Sequence, residues 1–146
     1  MELIKKLREE TGLSFAEIKK ALDAANGDEV AAREALAARS AEVAAKKADR
    51  EIAAGIVGSY VHSNGTSGAL VLLGCETDFV ANNEEFKALA RDLAMHACAM
   101  MPETVEDMLA QPFVKDGEKT VKQKLEEAVQ KFGENTQLVK ISRVSI

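Results

Sequence analysis

The 146 residues predict an α+β fold: an N-terminal bundle of three helices, a helical linker, and a small antiparallel three-stranded sheet packed with helices. Three observations carry that prediction. The first forty residues repeat apolar side chains at helical spacing between Gly-containing turns. The texture changes at Gly55 to β-branched and aliphatic runs broken by turn residues. Beyond Asn83 helical periodicity returns and closes on one more β-branched run. Alanine is abundant, only six residues are aromatic and none is Trp, a composition suited to thin helices packed closely.

In chain order, Leu3, Ile4 and Leu7 mark a first helix that Thr11-Gly12 ends. Ser14 with Glu17 is a capping-box pattern and starts a second helix through Ala25, with Phe15, Ile18, Ala21 and Leu22 expected to face inward. Asn26-Gly27 stops it, and Asp28 caps a third helix with the stripe Val30, Ala31, Ala35 and Leu36. Residues 1–40 therefore read as a docking bundle. Residues 41–54, rich in Ala, Lys, Glu and Asp, read as an exposed helical linker. Residues 55–146 form the α+β core. Ile56-Val57, Tyr60-Val61 and Leu70–Leu73 make a hairpin around Ser63–Gly68. Asn82 or Asn83 caps a helix over residues 84–100, with Phe86, Leu89, Leu93 and Ala97 inward, and Pro102 breaks it. A short helical turn at 103–110, a stiffened connection at Gln111-Pro112-Phe113-Val114, a helix at 118–132 closed by Gly133, and a strand over Leu138–Val144 complete the order.

Composition excludes several classes. Apolar residues are 47% and charged residues 29%, as in a globular protein. The longest nearly uncharged apolar run, Gly68–Cys75, is far short of the roughly 20 residues of a membrane span. No secretory signal is expected in residues 1–11, where charges alternate with aliphatics. Net charge is −5, distributed as zero over residues 1–50, −7 over 51–114 and +2 over 115–146. Nucleic-acid binders concentrate basic charge on one face, so an acidic middle argues against that partner.

The inventory for chemistry is sparse. Cys75 and Cys98 stand 23 residues apart, which matches no zinc spacing, and Cys75 in an apolar strand reads as packing rather than nucleophile. His96 on the long helix reads as a surface or core filler. No phosphate-cradling Gly motif occurs. Neither enzyme, cofactor nor metal site is expected. The anomalous segment is Thr77-Asp78-Phe79-Val80, between a finished strand and a helix not yet begun. Phe79 either folds back as a staple near Phe86 or stands out as an aromatic wedge of the kind found at interaction hot spots. Periodicity favours the staple.

These residues also carry a resemblance. Thr11-Gly12 with Lys19-Lys20-Ala21-Leu22, Ala44–Ala48, Cys75–Ala81, Gln111–Val114 and Gly133-Glu134-Asn135 occur in the order seen in the bacterial elongation factor Ts family, over nearly the whole chain. The resemblance implies a cytoplasmic nucleotide-exchange factor for elongation factor Tu, the GTPase that delivers aminoacyl-tRNA. It implies that the bundle is similar to a ubiquitin-associated domain and docks through Leu13, Phe15, Ala16 and Lys19, with Phe113 and Val114 in a second contact. It turns Phe79 into the wedge: Thr77, Asp78, Phe79 and Val80 would disturb the magnesium and phosphate-binding loop of the GTPase. Two departures stand out. Many members have two Met residues where this chain has Phe15-Ala16, and longer members insert a region between Met101-Pro102 and Gln111, here eight residues. The short core predicts a homodimer. Three rival readings are an adaptor built on the bundle alone, a paralogue that binds without exchange, and a thiol enzyme pairing Cys75 with His62 or His96.

Overall fold

A computed structural model describes residues 1–146 in full. Helix α1 (Glu2–Thr11) ends where Gly12 takes a left-handed conformation, φ 71°. Helix α2 (Phe15–Ala24) carries the expected capping box, with Ser14 and Glu17 satisfying each other's backbone N–H. Asn26 and Gly27 both have positive φ and turn the chain toward Asp28, which caps α3 (Glu29–Lys47). Leu7, Leu13, Ile18, Leu22, Ala32 and Leu36 form the core of these three helices.

Two inward faces differ from expectation. Phe15 is 40% exposed, and Val30 points to solvent while Ala32, Leu36 and Ser40 are buried. An Ala-rich helix has small side chains all round, so its sequence hardly distinguishes one face from the next. Polar partners choose instead: Arg33 bonds Glu10 with both Nε and Nη2 (3.0 and 2.9 Å), and Ser40 donates to Gln130 Oε1 at 2.6 Å. Of the expected exposed helical linker, residues 41–47 are helical and none of residues 41–54 is buried, but its helix is not a separate one. α3 runs unbroken through position 40 to Lys47 and lies along α7 (Val121–Phe132). Beyond it the chain is pinned by Asn135, whose Nδ2 donates to the carbonyls of Ala48 (3.3 Å) and Arg50 (2.8 Å).

The sheet is antiparallel in the order β1 (Ala54–Val61), β2 (Ser67–Cys75), β5 (Gln137–Ser145). Central β2 is the least exposed of the three because α5 (Glu84–Met100) covers one face of it and of β1. Phe86, Leu93 and Ala97 are buried there as the spacing predicts, and Leu89 is half-buried. Phe86 meets Phe132 edge-on, ring centres 5.4 Å apart, so the partner of Phe86 is Phe132 and not Phe79. After α6 (Val105–Ala110) the expected connection is a two-stranded ribbon, β3 (Pro112–Phe113) with β4 (Asp116–Thr120), and α7 starts at Val121 rather than at 118. Charged Asp116-Gly117-Glu118-Lys119 has no alternating apolar pattern, which is why the ribbon leaves no trace in the sequence.

Candidate functional site

β2 ends at Cys75, and the next residues have no sheet partner for their N–H groups. A carboxylate supplies it. Glu134 Oε1 accepts from the backbone N–H of both Glu76 and Thr77, at 3.0 Å each, and Glu134 Oε2 accepts from the Thr77 hydroxyl at 2.7 Å. The exchange is mutual, since Glu76 Oε2 accepts from the Asn135 N–H at 2.6 Å. The Cys75 thiol donates to the Thr77 carbonyl at 3.2 Å. Thr77 in turn caps α4 (Asp78–Ala81), its Oγ1 accepting from the Val80 N–H. The anticipated loop is thus one capped helical turn. It buries Val80 and Ala81, leaves Asp78 outside, and holds Phe79 88% exposed. The staple reading fails because Val80, the next residue, takes the inward position. An aromatic ring left in water on an anchored turn buries nothing of its own fold.

The turn expected to dock is built by Gly12, Leu13 and Ser14. Leu13 donates its N–H to Thr11 Oγ1 (3.2 Å) and is itself 3% exposed, so it fixes the turn rather than offering surface. Phe15, Ala16 and Lys19 are exposed, with Lys19 paired to Asp23 at 3.5 Å. Phe15 lines a shallow hollow together with Ile4, Arg8, Lys131 and Glu85, which belongs to the first turn of α5. In the ribbon, Phe113 is buried and stacks on His96, 5.9 Å between ring centres, while Val114 is 39% exposed. His96 is fully buried: Nδ1 accepts from the Val114 N–H (3.1 Å) and Nε2 meets Gln111 Oε1 (2.8 Å). Burial holds its imidazole below the usual range, against a smaller opposing pull from Gln111. Of the residues picked from the sequence, Leu13, Val80 and Phe113 therefore act from inside. Thr77, Asp78, Phe79, Phe15, Ala16, Lys19 and Val114 reach the surface.

Neither thiol bonds an imidazole. Burial first, and the nearby Glu134 carboxylate second, push the Cys75 thiol up, the reverse of what a nucleophile requires. Cys98 is buried and donates to the Ser67 hydroxyl at 3.6 Å. Glu134 is the residue that sequence reasoning missed as a site component. Its position just past the helix-closing Gly133 was visible, but its reach to residues 57 and 58 positions away was not.

A family model described as "Elongation factor TS" matches residues 76–146, beginning at the anchored turn. A relative of that name from Acetivibrio thermocellus is 37% identical over 187 positions, covering 97% of this chain and 87% of the relative. The chain belongs to the elongation factor Ts family. The elongation factor Ts of Thermotoga maritima is 47% identical over 139 residues, covering 92% of this chain and 70% of its own length. That of Thermosipho melanesiensis is 52% identical over 105 residues, and there the match spans 54% of the relative. The Acetivibrio alignment is longer than this chain, so the relative carries insertions that are absent here. Elongation factor Ts is a translation factor, and the matched segment of this chain is the one that contains Glu76, Thr77, Phe79 and Glu134.

Proposed function

We propose that this chain is the guanine-nucleotide exchange factor of elongation factor Tu, binding its GDP form and expelling GDP through the α4 turn. The observation that carries the reading is Phe79: a large ring exposed at the tip of an anchored helical turn in an elongation factor Ts chain. Phe79 wedges between two helices of the GTPase, and Asp78 presses on the surroundings of its magnesium. Disturbing the metal and the phosphate-binding loop removes charge neutralisation from GDP. The bundle, similar to a ubiquitin-associated domain, docks through Phe15, Ala16 and Lys19. Val114 makes a second contact from a ribbon that Phe113 and His96 stiffen.

Thermodynamics sets the rest of the cycle. A nucleotide held at nanomolar affinity is bound by about 12 kcal/mol. A factor that weakens it is weakened by it to the same extent, so incoming nucleotide ejects the factor. A wedge and an acid meet that requirement without a reactive group in the chain itself.

The test is release of a fluorescent GDP analogue from bacterial elongation factor Tu. Wild type should accelerate release at substoichiometric amounts, and Phe79→Ala should lose most of that. Binding without acceleration would mean that the fold is kept without the function. The same reading places the chain in the cytoplasm and pairs it with a second copy. Val57, Val61, Leu70, Val139 and Val144 are exposed on the strands, and β1 and β5 leave both sheet edges open. Light scattering at micromolar concentration should give the mass of two chains; a monomer would remove the dimer from the proposal.

A further inference from the structure

The wedge and the docking turn are both tied to one helix end. α7 stops at Phe132, Gly133 turns the chain with φ 77°, and Glu134 places its carboxylate on the two N–H groups and the hydroxyl at the head of α4. One helical turn earlier on the same strip of chain, Gln130 faces the bundle. Its Nε2 donates to Glu17 Oε1 at 2.6 Å, and its Oε1 accepts from Ser40 at 2.6 Å. Glu17 is the carboxylate of the capping box, whose Oε2 accepts the Ser14 N–H (3.2 Å) directly before Phe15.

A four-residue helix does not hold itself, because forming a first turn costs more than it returns. Phe79 contributes no burial of its own, so the direction of the ring depends on the anchors of its backbone. Three of the polar anchors at the head of α4 end on Glu134. A wedge that must be ordered on contact works less well than one ordered beforehand. We propose that the C-terminal end of α7 is a positioning element for exchange: Glu134 orients the Phe79 wedge, Gln130 orients the Phe15 turn, and the two contacts reach the GTPase in fixed register. This rests on the exchange-factor reading above.

The two residues separate in one experiment, fluorescent-GDP release from elongation factor Tu titrated with wild type and variants, with thermal unfolding recorded for each. Glu134→Ala should lower the maximal release rate about tenfold and leave the half-saturating concentration within about twofold, as for an interaction used only when the wedge acts. Glu134→Gln keeps an oxygen for both N–H groups and turns its amide toward the Thr77 hydroxyl, and should stay within about threefold of wild type. Gln130→Ala should raise the half-saturating concentration at nearly unchanged maximal rate. Should Glu134→Ala fail to fold, Glu134→Asp, one methylene short of all three contacts, takes its place. An unchanged maximal rate in the folded alanine or aspartate variant overturns the proposal. So does a parallel fall of rate and affinity in step with lost thermal stability, which is what a plain structural role produces. Wild type without effect on release removes the exchange-factor reading and this proposal together, whereas active wild type with an indifferent Glu134 removes only the latter.

Discussion

Phe79 and Phe86 lie two helical turns apart in sequence and answer to opposite demands: one ring is almost wholly in water, the other fully buried against Phe132. Phe86→Ala should cost about 3–5 kcal/mol, the transfer of a buried ring plus the cavity left behind. Phe79→Ala should change stability by no more than about 0.5 kcal/mol, since nothing in the fold rests on it. Denaturant unfolding of the two variants beside the GDP-release assay checks the contrast: one loses stability, the other only the activity. His96 supplies a pH dependence. Its imidazole is neutral in the fold, accepting from Val114, and burial lowers its pKa below the ordinary value of about 6.5. Below that value the unfolded chain takes up a proton that the native chain refuses. This contribution to stability is therefore complete above about pH 6.5 and is lost as pH falls toward the lowered native value. Unfolding midpoints at pH 7.5 and 5.5 should show the loss in wild type and a flatter response in His96→Asn. An equal slope in both would assign the titration elsewhere.

Among elements, the contact of α5 with β1 leaves no room. Gly58 on β1 faces Ala90 on α5 so closely that an added Cβ would run into the Ala90 carbonyl. Backbone does not yield as a flexible side chain does, and Gly58→Ala should cost about 1–3 kcal/mol through overpacking. Calorimetry would show this as a clear drop in Tm. Tm within a degree of wild type would mean that helix and strand can part without penalty. Helix starts behave differently because their stabilisation is local. Ser14→Ala removes the acceptor for the Glu17 N–H and should cost about 1 kcal/mol. The same change also loosens the turn that presents Phe15.

At the scale of the whole molecule, the bundle and the α+β core each have a separate apolar cluster, yet polar bonds sew them together along α7. The uncovered sheet face is where a second copy would sit. Leu70→Lys, half-exposed at the centre of that face, should give a folded monomer, read as native circular dichroism with half the mass in light scattering. Retention of the dimer would place the interface elsewhere. Much of this architecture was legible beforehand. Gly12, Asn26-Gly27 and Gly133 mark helix ends, and Ser14, Asp28 and Asn83 mark starts, because capping is settled within four residues of chain. The three strands were legible from β-branched runs for the same reason. The ribbon at 112–120 was not, since a two-residue strand and a charged partner carry no period. Nor was the inner face of α3, where small side chains gave way to the pairing of Arg33 and Ser40 with distant groups. The site divides along the same line. Phe79 as an oddly placed ring could be read from its neighbours, and resemblance named the family, whereas the cap at Thr77 was not read because the segment passed for a loop. By itself the sequence determined where elements begin and end and which segment is unusual. Only the tertiary structure decided that Phe79 faces water and that Glu134 holds its turn: the core chose Val80 over its neighbour Phe79 for the inward place, and Glu134 acts across 57 residues or more, a distance over which local propensity has no reach.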